Sequence, residues 1–273
     1  MVVFGTIGLF VRYAPLPSSL IALTRGIIGT LFLLVWAHLG HISVEQKTLR
    51  DNWKHLVASG IAIGINWILL FESYRHTSLA VATLCYYLQP VFVTLLAPMV
   101  LREKLRPCNF LLIVLTFLGM SMVCGLTRPQ GPLGILLASG AALFYASVIL
   151  INKKMGAIEP ILSTAIQLGI ASLSVLPYVL LTVDFPTVAF TRLGITILLV
   201  IGIVHTGFAY ALYFGAMQKL SAHMVAILSY TDPITALMLS ALVLKETMTT
   251  TQFIGAVVVL GSTLAGKLIE DAG

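Results

Sequence analysis

The chain of 273 residues is 59% hydrophobic and only 10% charged, with a mean hydropathy of +1.02. A water-soluble domain carries roughly 25% charged residues, so this composition excludes a soluble globular fold. The net charge of +6 does not indicate nucleic-acid binding, because the basic residues stand singly or in small groups between apolar runs, where they anchor loops at a membrane surface.

In lipid a backbone must satisfy its own hydrogen bonds, which leaves helices or a closed barrel. Continuous apolar runs such as LLIVLTFLGMSMV lack the alternation of barrel strands, so helices are expected. A crossing needs about 20 apolar residues. Taken between charges and Pro or Gly breaks, the runs predict spans at 1–14, 18–40, 54–74, 79–101, 107–126, 131–152, 160–182, 192–216, 221–244 and 248–268. The first span is short, covering about 20 Å as a helix. That points to a chain beginning several residues earlier, or to a tilted or buried helix. Only 41–53 and 183–191 form connections of any length, so function is expected inside the bundle. With the N-terminus inside, the cytoplasmic segments hold ten Lys and Arg and the outer ones five, which favours both termini in the cytoplasm. Cys85, Cys108 and Cys124 lie in or beside apolar runs without metal-ligand spacing and read as packing residues.

The chain repeats itself. At a constant offset of 143, Pro90 falls on Pro233, Glu103 on Glu246, Phe71 on Phe214, Trp67 on Tyr210 and Gly26 on Gly169. Each half holds five spans, and an odd number makes the second half enter the membrane from the opposite side. The expected architecture is therefore an all-α integral membrane protein of ten transmembrane helices, built as two inverted five-helix repeats. Such a pair can open to one side and then, as its pseudo-symmetric twin, to the other, around a site at the repeat interface.

The segment SYRHTSLAVATLCYYLQPVFVTLLAPMVLREKL resembles the EamA repeat of the drug/metabolite transporter superfamily. The matching features are a small-residue helix start, the mid-helix Pro90, a leucine-rich end with Glu103, and a following glycine-containing helix. The second copy carries Pro233, Glu246, Gly255 and Gly261, and Arg25 in LTRGIIGTLFLL resembles the second-helix arginine of that family. The resemblance covers nearly the whole chain, as a first repeat at 1–126 and a second at 131–268. It implies a multi-pass protein of the cell membrane that exports a small metabolite or amino acid as a monomer or homodimer, with no cofactor.

Polar groups at membrane depth are the functional candidates, because each is expensive there. Asp232 sits beside Pro233 midway along the ninth span, and its repeat partner Gln89 sits beside Pro90 midway along the fourth. A proline frees the carbonyl four residues earlier, so Pro90 and Pro233 mark helix breaks whose backbone can meet a ligand. Asp232 is expected to couple protons or to bind a substrate ammonium; the competing reading is a hydrogen-bonded residue at a kink. Arg25 is expected to form an ion pair, with Asp232 or Glu72 as partner, to bind a substrate carboxylate, or to snorkel outward to the surface. Trp67, Tyr86, Tyr210 and Tyr230 would give the cavity aromatic walls suited to amphipathic ligands. His205 joins the substrate-binding candidates, against a packing role. Glu103 and Glu246 are expected to cap helices. The absence of a GxxxxGK[ST] loop leaves a proton or substrate gradient as the energy source. The alternatives are an intramembrane enzyme, for which no nucleophile–base pair or metal cluster is visible, and a membrane-embedded structural or assembly protein.

Overall fold

A computed structural model describes residues 2–77, 82, 85–102, 107–124, 132–156, 158–229, 231–232, 235, 238 and 249–271. Every regular element among them is helical. In chain order these are α1 (Val2–Tyr13), α2 (Ser18–Leu39), α3 (Gln46–His76), α4 (Gln89–Leu101), α5 (Pro107–Cys124), α6 (Pro132–Lys154), α7 (Pro160–Thr182), α8 (Arg192–Met217), α9 (Ala222–Ser229) and α10 (Thr250–Asp271). Of these, α2, α3, α6, α7 and α8 are long and apolar enough to cross a membrane, and α4 is a shorter apolar helix. Tyr230, Pro233, Glu103 and Glu246 lie outside the described residues.

Local chemistry sets the helix ends. Proline lacks the N–H that a first turn leaves unused, and Pro160 opens α7. The Glu159 carboxylate accepts from the backbone N–H of Leu162 at 3.0 Å, and the Thr191 hydroxyl accepts from that of Gly194 at 3.1 Å, capping α7 and α8.

Three local features depart from the spans read in the sequence. Helix α3 starts at Gln46, so most of the expected 41–53 connection is helical. This polar stretch extends the apolar run as a helix with largely exposed side chains, which a rule counting apolar residues cannot see. The fourth span is not one continuous helix: a turn at Tyr87–Leu88 interrupts it, and α4 restarts with Pro90 in its first turn. Within α8, residues Ile201–Phe208 form a π-helix, wider than the flanking α-helical turns.

The bundle is apolar outside and tightly packed inside. Leu181 is 86% exposed and Met99 80%, while Ala138, Ala141, Ala142 and Ala146 along α6 are fully buried. Small residues let helix backbones approach where lipid supplies no hydrophobic driving force between helices. The pairings have a two-fold pattern. Helices α2 and α7 are repeat equivalents, and they pack antiparallel: Leu23 shares a crevice with Leu176, Gly26 faces Ser172, and Thr30 faces Gly169. Helix α3 runs parallel to α7, with Gly60 against Gln167 and Ile170 and Gly64 against Ala171 and Ser174. Its counterpart α8 runs parallel to α2, with Gly202 against Ile28 and Gly207 against Phe32.

Candidate functional site

Where α1, α2, α3, α6 and α8 converge, the bundle holds a cluster of aromatic and polar side chains. Gly26 of α2 has no room for a Cβ, which would collide with the Ser172 hydroxyl and stand 3.2 Å from the Trp67 ring. This close approach brings the preceding side chain, Arg25, over Trp67. Its guanidinium carbon lies 4.3 Å from the ring centroid, a cation–π contact with a ring that is 2% exposed. The Arg25 Nε is buried without a hydrogen-bond partner, and no carboxylate among the described residues pairs with the guanidinium. Glu72, one expected partner, is occupied elsewhere: it accepts from Tyr178 Oη at 2.6 Å and pairs with Arg75 and His76.

Tyrosines surround this arginine. Tyr210 lies within electrostatic reach of both Arg25 and Asp232. Tyr86 is within reach of Arg25, Tyr210 and Asn66, and its ring centroid is 6.1 Å from that of Tyr145. Tyr213 interacts with Tyr145, Tyr210, Ser229 and Asp232. Phe4 of α1 closes the group edge-on, 5.2 Å from Tyr210 and 5.9 Å from Tyr213. Asp232 is partly buried, and no basic side chain among the described residues pairs with it, so Arg25 and Asp232 flank one tyrosine without meeting each other.

Several buried polar atoms in these helices have no protein partner: Asn66 Oδ1, Gln89 Nε2 and Thr94 Oγ1, besides Arg25 Nε. Orphan polar atoms are rare in buried surroundings because each loses its hydration without replacement. Gln89 is 3% exposed, and Pro90 behind it is buried in the first turn of α4. Trp67, Tyr86, Tyr210, Arg25 and Asp232 thus lie in one neighbourhood. His205 is placed differently. Both its ring nitrogens face protein oxygens, Thr6 Oγ1 at 2.6 Å and the Val200 carbonyl at 3.5 Å, so it does not present a free nitrogen to this space.

A crevice of about 230 Å³ enters from one side between α1, α8 and α9, past Val3, Phe4, Ala216 and Val225, and reaches Tyr213.

Sequence reasoning missed Tyr145, Phe4 and Thr6. Tyr145 falls on Val2 at the repeat offset and so carries no repeat signal, and α1 was too short to draw attention. No group of three or more His, Cys, Asp or Glu that could hold a metal comes together among the described residues.

Comparison with known proteins agrees with this architecture. A solved crystal structure superposes with a TM-score of 0.84 over 98% of this chain and 94% of its own, at 20% identity, which establishes the shared fold alone. The Bacillus subtilis (strain 168) protein named Uncharacterized transporter YxxF is 35% identical over 247 residues, covering 88% of this chain and 78% of that protein. The human Solute carrier family 35 member G1 is 31% identical over 117 residues, covering 37% of this chain and 31% of that protein. The EamA-like transporter family matches twice, at residues 1–125 and 132–265, and the chain belongs to that family of membrane transporters.

Proposed function

We propose that this transporter carries a zwitterionic small metabolite of the amino-acid class outward across the cell membrane, as a secondary transporter with alternating access. In this reading ten spans form two inverted repeats, 1–126 and 131–268, and both termini are cytoplasmic. The antiparallel packing of the equivalent helices α2 and α7 supports the inversion, because a two-fold axis in the membrane plane reverses helix direction whereas an axis along the membrane normal preserves it. The crevice beside α1, α8 and α9 supports a path to the cluster from outside the bundle.

One observation carries the substrate class. Arg25 and Asp232 both reach Tyr210, and neither forms a salt bridge with the other or with any other charged side chain among the described residues. In this reading a substrate carboxylate meets Arg25 and a substrate ammonium meets Asp232. Trp67, Tyr86, Tyr210 and Tyr230 enclose its apolar part, and Gln89 with its orphan Nε2 offers a further donor. The breaks at Pro90 and Pro233 let α4 and its equivalent bend as the halves rock.

The test is transport into proteoliposomes containing only this protein, with labelled neutral, acidic and basic amino acids and their decarboxylated and amidated analogues. Neutral amino acids should move, and both analogue classes should compete poorly. Movement of decarboxylated amines at the same rate as the parent amino acids would rule out the paired-charge site.

A further inference from the structure

Helix α3 carries Asn66 against α6, and its carboxamide is used on one side only. Nδ2 donates to the Ala141 carbonyl at 2.7 Å, which fixes the orientation of the amide, because the flipped amide would set oxygen against oxygen. Oδ1 therefore points away from that carbonyl, and it is buried without a partner. Gln89 stands where the fourth span is broken. The turn at Tyr87–Leu88 precedes it, and Pro90 follows it in α4. It is 3% exposed, and its Nε2 likewise has no partner. Tyr86 connects the two. Its hydroxyl is within reach of Asn66, and it precedes Gln89 by three residues, about one helical turn. Arg25 also reaches Tyr86, so this neutral patch borders the cationic end of the site.

The patch offers an acceptor and a donor and carries no charge of its own. If the Tyr86 hydroxyl donates to Asn66 Oδ1, the accepting lone pair passes to Tyr86 Oη, and Gln89 Nε2 is an unused donor in either arrangement. The second half is built differently. At the offset of 143, Asn66 falls on Ala209, Tyr86 on Ser229 and Gln89 on Asp232. Ser229 Oγ donates to the Val225 carbonyl at 2.8 Å, and Ala209 has no polar group to offer. Equivalent positions beside the two prolines thus hold a neutral amide in one half and a carboxylate in the other. In the inverted-repeat reading the two-fold axis sets them across the central space from each other. A substrate whose ammonium meets Asp232 then directs its far end to Gln89.

We infer that Asn66, Tyr86 and Gln89 form the side-chain subsite of this transporter. The carried amino acid then bears an uncharged polar side chain that both donates and accepts a hydrogen bond, a carboxamide or a hydroxyl. The inference rests on the proposed function for the carboxylate and ammonium ends only. An apolar side chain would leave both orphaned atoms unmet, each a lost hydration without replacement. A charged side chain would be buried with no counter-charge among these three residues. A group with one donor and one acceptor meets both. Sites built this way reject the analogue that lacks the polar group, because their own buried groups are then left unpaired.

Transport into proteoliposomes is compared within two nearly isosteric pairs, asparagine with leucine and threonine with valine, each pair also run as its decarboxylated amines. In at least one pair the polar member should be carried about 5- to 150-fold more efficiently, the effect of leaving a buried polar group unmet. The pair that shows it tells carboxamide from hydroxyl. Gln89→Met keeps the length of the side chain and removes the donor, and should bring that ratio to within about twofold of unity. Gln89→Glu puts an acceptor where the donor stood and should do the same, so the test survives the failure of one variant to fold. The ratio is read within one preparation, so differences in folded amount cancel. A wild-type ratio near unity in both pairs overturns the inference, as does a wild-type ratio retained in either variant. If the amines move as fast as the amino acids, the zwitterion reading fails, and the side-chain subsite is judged by the same ratio within the amines. If no member of either series is carried, both readings fall.

Discussion

Two buried polar clusters lie in this bundle, and they are built in opposite ways. In the first, Ser59 of α3, Asn152 of α6 and Gln167 of α7 close on one another. Ser59 Oγ donates to Gln167 Oε1 at 2.5 Å, Asn152 Nδ2 donates to Ser59 Oγ, Gln167 Oε1 and the Val148 carbonyl, and Gln167 Nε2 donates to Asn152 Oδ1 at 3.1 Å. Every polar atom there has a protein partner. In the second, Arg25 and Asn66 each keep a buried atom with none. The contrast separates a fastener from a receptor. A satisfied network gains nothing from a ligand, whereas orphaned donors and acceptors are the places where a ligand restores what burial removed.

The contrast breaks most visibly at Arg25. Arg25→Ala deletes the guanidinium that we assign to the substrate carboxylate. Loss of one partner in a buried charged hydrogen-bonded contact costs about 2–5 kcal/mol, roughly 30- to 3,000-fold in transport efficiency. Because no carboxylate among the described residues pairs with this cation, the variant should reach the membrane with unfolding behaviour close to wild type. Transport rates are compared in proteoliposomes at matched protein content. An Arg25→Ala protein that misfolds would make Arg25 a fastener after all.

The converse holds at Asn152. Asn152→Leu leaves Ser59 and Gln167 buried with fewer partners and should lower stability by about 1–3 kcal/mol. Equilibrium unfolding in mixed micelles measures that loss. Transport per folded molecule should change by no more than about twofold, since surviving molecules keep the receptor cluster intact. Between these extremes lies Asp232→Asn, which keeps side-chain size while removing the charge. A charge-assisted bond to a substrate ammonium becomes a neutral one, about half as strong. The expected outcome is a rise of about five- to thirtyfold in half-saturating substrate concentration, with amides and esters of the same amino acids affected alike. An unchanged concentration would make Asp232 a kink residue.

Much of this framework can be read from sequence because duplication writes itself as a constant offset. Ser18–Leu39 plus 143 gives 161–182, and the structure has α7 at Pro160–Thr182; Pro107 plus 143 gives 250, where α10 begins. Apolar run length and proline position decide such boundaries locally. Trp67, Tyr210 and Arg25 were likewise visible, since a large aromatic or a cation at membrane depth stands out against its neighbours. What stayed hidden depends on partners far along the chain. Thr6 meets His205 across 199 residues, and Tyr178 meets Glu72 across 106. The π-turn was equally illegible, because its register is set by what the side chains of α8 meet on α1 and α2. The partner of Arg25 was misjudged for a related reason. Sequence offers carboxylates as the obvious counter-charges, while Gly26 lets Arg25 lie over the Trp67 face and no carboxylate among the described residues pairs with it.

Glu72 and Tyr178 stand between the two clusters and give the smallest effect. Their hydrogen bond joins α3 of the first half to α7 of the second, at the C-terminal ends of both helices. Unlike Arg25, Glu72 is fully partnered; unlike Asn152, it is wet, with its side chain 24% exposed. In Tyr178→Phe, water replaces the lost phenol and Arg75 remains at 3.2 Å, so the cost falls to about 0.5–1 kcal/mol. That is large enough to matter only if the bond is made in one conformation and broken in the other, in which case the population of the two states shifts by about two- to fivefold. Spin-label distances between the C-terminal ends of α3 and α7 in Tyr178→Phe should therefore show a larger fraction of separated ends, with global stability nearly unchanged. Equal distance distributions in both proteins would make the contact a static tie, no different in kind from the Ser59 network.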